Sequence, residues 1–308
     1  MSKAYLRFWG VRGSYSAPFD THLGVGGNTS CVEIRVDDHI VLCDAGTGII
    51  PFGNEVLKQA ADQPKVKDLL IILTHYHWDH ICGLPFFVPA FIPNWNITFF
   101  GPGHSKRDIE EHVSAQMRAP YFPVGTETWL ANVRYLDPPK EQKMDWGPLS
   151  FSWRSVHHPG TTYGYRIKVR DKSVLYISDN ECLFLDKSIR QKYGEFNAEE
   201  QALLTEMQRE EYESEIKLIE GADILIHDAQ YSLEDYHKKR GWGHSCYIDT
   251  VNTAIDAGVK QLYLYHHDPN YDDQVIAGIY EHCQSIIKER NSALECHIAR
   301  EGMIVDLS

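Results

Sequence analysis

The feature that most constrains this chain is an apolar run that ends in a cluster of metal-binding side chains. Residues 69–73 read Leu-Leu-Ile-Ile-Leu, and ligand-type side chains follow at His75, His77, Asp79 and His80. A continuous apolar run of this length is typical of a strand buried on both faces. A group of surface histidines is the alternative, but four ligand-type residues in six positions favour a metal site.

The spacing of these residues indicates how they would share their ions. Side chains two positions apart in an extended segment point the same way. His75 and His77 can therefore hold one ion, while Asp79 and His80 face another beside it. Neutral imidazole and carboxylate suit Zn²⁺, and also Mn²⁺ or Fe²⁺. The strand before this loop would thus deliver most of a metal site at its tip.

More ligand-type residues follow other apolar runs later in the chain. An aspartate after a strand is usually a cap or turn residue, but in this company the metal interpretation is favoured for Asp179. The Gly-His-Ser segment around His244 could instead be a helix cap, with Ser245 in the capping position. Because these residues recur at strand ends, and helices alternate with strands in the second half, the chain is predicted to be a layered α/β protein with its site along one sheet edge. The candidates are His157, His158, Asp179, Asp228, His244, His266 and His267.

Two polar features outside the ligand set have their own interpretations. Asp44, in a turn after a predicted strand, could brace the ligand loop through hydrogen bonds or be a plain Asx turn. Asn197 with Glu200 three residues later predicts a capping box that opens a helix over 197–220. Residues 195–220 contain nine glutamates against one arginine and one lysine, a local charge of −7. A solvated helix face is the usual explanation, and a partner or dimer surface is the alternative.

The overall charge of the chain indicates which kinds of binding partner to expect. The 308 residues carry a formal net charge of −13. An acidic surface repels the nucleic-acid backbone, and the sequence has no basic run, so a large nucleic-acid ligand is not expected. No apolar segment is long enough to be the core of a signal peptide at the N-terminus or to span a membrane. Seven scattered cysteines without a Cys-x-x-Cys pair suggest reduced thiols, and we expect a cytoplasmic protein that does not enter a membrane.

Taken together, the motifs resemble those of metallo-β-lactamase-fold metal-dependent hydrolases, in the branch of ribonuclease Z and its cyclic phosphodiesterase relatives. The resemblance rests on the His-x-His-x-Asp-His motif, on His158 followed by the segment Gly-Tyr-Arg-Ile at 164–167, and on Leu-Ile-His-Asp-Ala at 225–229, Gly-His-Ser and the strand end at His266, in that order. It implies an α/β fold, a four-layer αββα sandwich with a dinuclear metal site at one edge of its sheets. It also implies a single domain over 1–308 with an acidic helical insertion near 183–220.

The resemblance also implies a role for each candidate residue. By this carry-over, His244 would lie beside the scissile phosphate and be supported by Asp228, and Asp79 would serve catalysis as well as metal binding. His157 could stand in for His158, and His267 for His266. The first metal would be held by His75, His77 and His158, the second by Asp79, His80 and His266, and Asp179 would bridge the two.

The expected function is hydrolysis of a small-molecule phosphodiester such as a 3′,5′-cyclic nucleotide, by a hydroxide shared between two divalent metal ions. Zn²⁺ is the expected ion, with Mn²⁺ or Fe²⁺ as alternatives. A tRNA 3′-end processing endoribonuclease is the nearest rival, although the chain lacks the Gly/Pro-rich arm of ribonuclease Z. A lactone or thioester hydrolase and a non-catalytic metal-binding protein are further alternatives. The family resemblance also makes a homodimer possible.

Overall fold

The computed structural model describes residues 4–61, 67–185 and 197–308. This part of the chain forms two seven-stranded sheets and a set of flanking helices. The strands are β1 (Ala4–Gly10), β2 (Cys31–Val36), β3 (His39–Cys43), β4 (Lys67–Ile72), β5 (Trp95–Phe100), β6 (Asn132–Tyr135), β7 (Lys143–Trp146), β8 (Leu149–Ser155), β9 (Tyr163–Val169), β10 (Lys172–Ile177), β11 (Ile224–Asp228), β12 (Gln261–Tyr265), β13 (Glu295–Ile298) and β14 (Ile304–Asp306).

The helices connect and cover these strands. They are α1 (Ile49–Ala61), α2 (Trp78–Ile81), α3 (Lys106–Ala115), α4 (Ala198–Ile219), α5 (Leu233–Lys238), α6 (Tyr247–Asp256) and α7 (Asp273–Glu289), with short 3-10 turns at Leu84–Phe86, Val88–Phe91 and Thr126–Thr128. Helices α1 and α3 pack on the first sheet, and α6 and α7 pack on the second.

The apolar run at 69–73 is buried on both faces, as predicted, because its alternate side chains enter different layers. Leu69 and Ile71 pack in the cluster between the first sheet and its helices. Leu70 and Ile72 point the other way, into the core between the sheets. All four side chains are fully buried. Each such side chain contributes about 1.5–3 kcal/mol through the hydrophobic effect, so the run fixes β4 at the centre of the molecule.

Aromatic side chains join the two sheets. The Phe8 ring on β1 lies 5.6 Å from the Tyr263 ring on β12, and the Phe100 ring on β5 lies 4.6 Å from the Trp153 ring on β8. These centroid distances are those of favourable tilted pairs in a close-packed interior. Helix, sheet, sheet and helix thus follow one another, which confirms the predicted four-layer αββα sandwich.

The order of strands brings several strand ends to one edge. The first sheet runs β14-β1-β2-β3-β4-β5-β6 and the second β13-β12-β11-β10-β9-β8-β7. Strands β3 and β4 are parallel neighbours, and so are β10, β11 and β12. Parallel neighbours end at the same side of a sheet, which is where α/β proteins place their sites. The ends of these strands and the loops after them carry most of the candidate residues, and His157 and His158 follow β8.

Two helix starts were predicted, and one prediction was wrong. Asn197 caps α4 as expected, because its side chain accepts hydrogen bonds from the backbone N–H groups of Glu199 and Glu200. Ser245 does not cap α6, whose N-cap residue is Cys246. Its hydroxyl instead donates to the Asn180 carbonyl at 2.6 Å and fixes the loop after β10.

The described residues bear on three further expectations. All seven cysteines are free thiols, as predicted, and six of them are buried. Within the described ranges, no helix is both long enough and apolar enough to cross a membrane. Residues 186–196 of the predicted acidic insertion lie outside the described residues, and α4 forms most of the remainder.

Candidate metal centre

Three imidazoles converge where the loop after β4 meets the loop after β8. His75, His77 and His158 place one ring nitrogen each within 4.8 Å of the others. The closest pair is His158 Nε2 and His77 Nδ1, at 3.0 Å. This triad is the first of the two ligand groups that the sequence predicted.

A second group lies beside it, at the end of β12. His266 Nε2 is 3.2 Å from His80 Nε2 and 3.2 Å from Asp79 Oδ2. His80 Nε2 is 3.3 Å from the same carboxylate oxygen. Asp79, His80 and His266 therefore form a compact triad of one carboxylate and two imidazoles, all with little solvent exposure.

Asp179 lies between the triads and faces each with a different oxygen. Its Oδ2 is 3.7 Å from His75 Nε2 and 3.8 Å from His158 Nε2. Its Oδ1 is 3.1 Å from His80 Nε2 and 3.4 Å from His266 Nε2. The carboxylate is almost completely buried. This placement is suited to a ligand shared by two ions.

The sequence left open which histidine of two adjacent pairs would be a ligand, and the structure places one ring of each pair in the cluster. His158 and His266 enter the cluster, whereas the His157 ring stacks on Phe184 at a centroid distance of 3.9 Å. His267 is turned toward the opposite side, with Nε2 3.1 Å from the Ala299 carbonyl oxygen. His158 and His266, which the family resemblance implies as ligands, are thus the members of each pair that lie in the cluster.

Most of these imidazoles are held by a hydrogen bond through the nitrogen that faces away from the cluster. Such contacts fix the ring orientation and tautomer of metal-binding histidines. Sequence reasoning missed three of the partners, because a threonine, a glutamine and a backbone carbonyl near strand ends carry no distinguishing signal. The pairs are His75 with Thr74, His80 with Asp44, His158 with the Gly243 carbonyl and His266 with Gln230.

Asp44 is the partner that the sequence did suggest, and its bracing role is confirmed. Its carboxylate accepts from the backbone N–H of Thr74 at 2.7 Å and from Tyr176 Oη at 2.8 Å, and lies 2.9 Å from His80 Nδ1. Asp44 thus ties β3, the metal loop and β10 together. Its backbone φ of 63° shows that it also forms a tight turn.

The histidines of the first triad are in the neutral form that can bind a cation. Burial lowers the pKa of His75 and of His77, and lowers that of His158 to about 4. All three rings are therefore neutral near pH 7, and their lone pairs are available. The ligand form of histidine is this neutral imidazole.

The second triad holds a proton in the metal-free protein. Burial opposes charge on His80, but Asp179, Asp79 and Asp44 outweigh it and raise the pKa of His80 well above its usual value. Burial likewise opposes charge on Asp179, but His266, His80 and His75 hold its pKa well below the ordinary range. Imidazolium and carboxylate pair here in the absence of a cation.

The residues fit a pair of divalent ions. His75 Nε2 is buried among the ligand atoms and has no hydrogen-bond partner in the described chain. An unsatisfied buried polar atom costs about 1–3 kcal/mol, and a cation at this point would satisfy it. Five imidazoles with Asp79 and Asp179 supply ligands of the type that Zn²⁺, Mn²⁺ and Fe²⁺ accept.

His244 and Asp228 lie together next to the triads. His244 Nδ1 is 2.8 Å from Asp228 Oδ2, and its ring stacks on His266 with centroids 4.9 Å apart. Burial lowers the pKa of His244, but the charge and hydrogen bond of Asp228 outweigh burial and raise it. Asp228 is itself held by the backbone N–H groups of Asn180 and Gln230. The pair can present a charged imidazole beside the metal ligands.

Glu181 is a positioning residue that sequence reasoning missed. This fully buried carboxylate accepts from the backbone N–H groups of Gly241 and Gly243 and from Tyr236 Oη, each at 2.9 Å. It therefore fixes the loop that carries His244 and the Gly243 carbonyl. A glutamate after a strand end is common on surfaces, and nothing in the sequence marks this one as buried.

The chain matches the model of the β-lactamase superfamily domain over residues 39–199, just over half its length. It is 22% identical to ribonuclease Z of Picrophilus torridus, over 82% of this chain and 86% of that protein. Its fold is similar to that of the metallo-β-lactamase-fold protein YhfI from Bacillus subtilis, with a TM-score of 0.64, 19% identity and coverage of 98% and 99% of the two chains. It is also similar to a diphosphatase from the PhnP family, with a TM-score of 0.57, 16% identity and coverage of 99% and 98%.

Proposed function

The chain belongs to the β-lactamase superfamily, as a metal-dependent hydrolase, and we propose that it cleaves a small phosphodiester at two divalent metal ions. This proposal rests on the position of Asp179, whose two carboxylate oxygens each face a different triad. His75, His77 and His158 would hold the first ion, and Asp79, His80 and His266 the second. We expect Zn²⁺, because a site rich in imidazole with few carboxylates suits it.

Two such ions supply an activated water at neutral pH and positive charge that neutralises phosphoryl oxygens. The protein contributes the positions of its ligands. Asp44 orients His80, and Gln230 orients His266, so the second triad keeps its geometry when charge changes nearby. With Asp79 and Asp179 ionised, the ligand set carries a formal charge of −2, which two divalent ions would outweigh. A phosphodiester would therefore be attracted even within an acidic protein.

His244 is the proposed acid. Its Nδ1 is engaged by Asp228, and Nε2 is the atom left to donate a proton to the leaving alkoxide. A positioned acid of this type contributes about 10² to 10⁴ in rate. The His244→Ala variant should keep both ions and lose turnover by that factor. Loss of an ion would instead make His244 a ligand, and unchanged turnover would remove it from the reaction.

A small substrate is favoured by the charge distribution. Helix α4 is rich in glutamate, and its described side chains are mostly exposed, so this face repels a polyanion. A 3′,5′-cyclic nucleotide carries a single negative charge and would not need an extended basic surface. We propose cyclic nucleotides as the substrate class. We also propose that the protein can form a homodimer.

Processing of RNA is the second candidate, and one observation favours it. Two adjoining grooves of about 420 Å³ each, which share Lys143 and Arg166, gather five basic side chains against Glu141 and Asp145. The sequence shows no basic run because the residues alternate along β7, β8 and β9 and are completed by α4. They are Lys143, Arg154, Arg166, Lys168 and Lys217. Such a surface could bind a phosphate backbone, and the relative in Picrophilus torridus is named ribonuclease Z.

One panel of substrates separates these functions. Metal-loaded protein would be assayed on bis-p-nitrophenyl phosphate, on 3′,5′-cyclic nucleotides, on precursor tRNA and on a lactone. We expect hydrolysis of the first two. Cleavage of precursor tRNA that is lost in an Arg154→Glu/Lys168→Glu variant would establish the second candidate, and activity on the lactone alone would contradict both.

A further inference from the structure

An aromatic pocket of about 520 Å³ lies beside the metal loop. Its walls include Tyr76 and Trp78 from that loop, His112 and Gln116 from α3 and its C-terminal cap, and Tyr121 from the segment that follows. The pocket is within the range of volumes that bind small organic ligands. It contains none of the proposed metal ligands and no part of the His244–Asp228 pair.

The pocket and the metal centre share residues of the loop after β4. Tyr76 and Trp78 alternate with His75, His77 and Asp79, so one short segment of the chain supplies both a wall of the pocket and ligands of the metal centre. The Tyr76 ring packs on His112 with centroids 4.4 Å apart, and its hydroxyl donates to the Pro102 carbonyl at 2.7 Å. This wall is therefore held in place.

The other aromatic walls are open to solvent. Trp78 is 78% exposed and Tyr121 is 80% exposed. A tryptophan so exposed leaves both a large apolar face and its indole N–H available to a ligand. Aromatic side chains of this kind stack on nucleobases with little dependence on the base.

Gln116 adds a polar observation. Its Nε2 is buried and has no hydrogen-bond partner among the described residues. The side chains that line the pocket include no lysine, arginine, aspartate or glutamate. A donor amide without a partner in an uncharged aromatic pocket suits a flat heterocycle with acceptor atoms at its edge. It suits neither a phosphate, which needs positive charge, nor an acyl chain, which has no acceptor for the amide.

We propose that this pocket binds the nucleobase of the substrate, stacked on Trp78 and Tyr121 and hydrogen-bonded by Gln116, while its phosphodiester reaches the metal centre. This inference rests on the proposed function and narrows its substrate class to nucleotides. The base would be recognised as an aromatic heterocycle. The phosphate would be recognised separately, at the triads.

The test compares two phosphate monoesters that differ in the base. Adenosine 5′-monophosphate and ribose 5-phosphate would be titrated calorimetrically into the metal-loaded protein. We expect the base-containing ligand to bind at least about tenfold more tightly. Trp78→Ala should weaken its binding by about 5- to 150-fold, the fold-change equivalent to one lost base–aromatic stack, without changing the binding of ribose 5-phosphate.

Two further variants sharpen the result. Gln116→Leu should also weaken the base-containing ligand alone, because it removes the amide and keeps the side-chain volume. Tyr280→Ala, at a partly exposed aromatic residue on α7, is the control and should change neither affinity. Equal binding of the two monoesters, or an unchanged affinity for adenosine 5′-monophosphate in both pocket variants, would overturn the inference. Displacement of that nucleotide by a medium-chain acyl lactone would overturn it in favour of an acyl ligand.

Failure of the inference can be told from failure of the proposed function. Hydrolysis of bis-p-nitrophenyl phosphate reports the metal centre without any nucleobase. If this ester is cleaved and the base gives no advantage in binding, only the pocket assignment is wrong. If it is not cleaved and Trp78 still governs nucleotide binding, the pocket assignment stands and the phosphodiesterase proposal is wrong.

Discussion

At the scale of single residues, two glycines keep the triads intact. A β-carbon on Gly13 would lie 2.4 Å from the His266 ring. On Gly243, which has a φ of 88°, it would lie 2.4 Å from His158 Nδ1. Both distances are too short for any real contact, so a methyl group at either position must displace a proposed ligand. Each triad therefore depends on one small residue from a different loop.

These contacts predict the effect of two substitutions. Gly13→Ala should cost the protein the ion of the second triad, and Gly243→Ala the ion of the first, so each variant should retain about one ion where the parent retains two. Metal content by mass spectrometry checks this. Gly278→Ala, on α7 with nothing within 4 Å of the added carbon, is the control and should keep both ions. Two tightly bound ions in both site variants would show that these histidines are not ligands.

Protonation of His80 gives a second prediction at this scale. Its raised pKa means that the metal-free protein carries a proton there near pH 7, and a bound cation must displace it. The first triad, with its lowered pKa values, has no such proton to lose. Metal binding to the second triad should therefore release about one proton and tighten as pH rises from about 6 to 8. Binding to the first should be less sensitive to pH.

Calorimetry in buffers with different ionisation enthalpies measures this release. The Gly243→Ala variant isolates the second triad, and Gly13→Ala isolates the first. Proton release that is larger for the first triad than for the second would contradict the assignment of charge to His80.

At the scale of structural elements, the site depends on how loops are fixed to the sheets. The loop at 241–245 supplies both His244 and the carbonyl that orients His158, and Glu181 binds its backbone from the loop after β10. Hydrogen bonds to a buried charged group contribute about 1.5–3 kcal/mol each. Glu181 is thus a clamp between two loops that have no strand pairing to hold them.

Loosening this clamp gives the third prediction. In Glu181→Gln, an amide N–H₂ would replace one carboxylate oxygen and face a backbone donor. The free energy of unfolding should fall by about 2–3 kcal/mol, and the affinity of the first triad should fall about tenfold, because Gly243 no longer holds His158 in place. Urea unfolding and stepwise metal titration check the two effects. Equal losses at both triads would contradict a clamp specific to the loop at 241–245.

At the scale of the whole molecule, the sequence predicted the architecture because its strongest signals are local. The continuous apolar run at 69–73 predicts a strand buried on both faces, and its side chains do alternate between two buried layers. The histidines and aspartates at strand ends gather because parallel strands end at one edge. The sequence leaves His157 open beside His158 and His267 beside His266, and only the fold shows that His157 and His267 are turned away from the cluster.

Most of the features that were missed are contacts between distant segments. Tyr176 and Asp44 are 132 positions apart, and Gln230 and His266 are 36 apart, yet each pair forms a hydrogen bond. The basic groove gives no basic run in the sequence, because residues that share one face of a strand alternate with residues of the other face. The local pattern predicts a helix cap at Ser245 because it cannot show that the hydroxyl donates to a carbonyl 65 residues earlier in the chain.

The proposed chemistry requires two ions, one on each side of Asp179. A crystal structure of the protein loaded with Mn²⁺ or Zn²⁺, with anomalous data collected at the absorption edge of the metal, tests it most directly. We expect two anomalous peaks about 3.5–4 Å apart, one within the triad of His75, His77 and His158 and one within that of Asp79, His80 and His266. An occupied crystal with one peak only, or with peaks bound by His157 or His267, would contradict it.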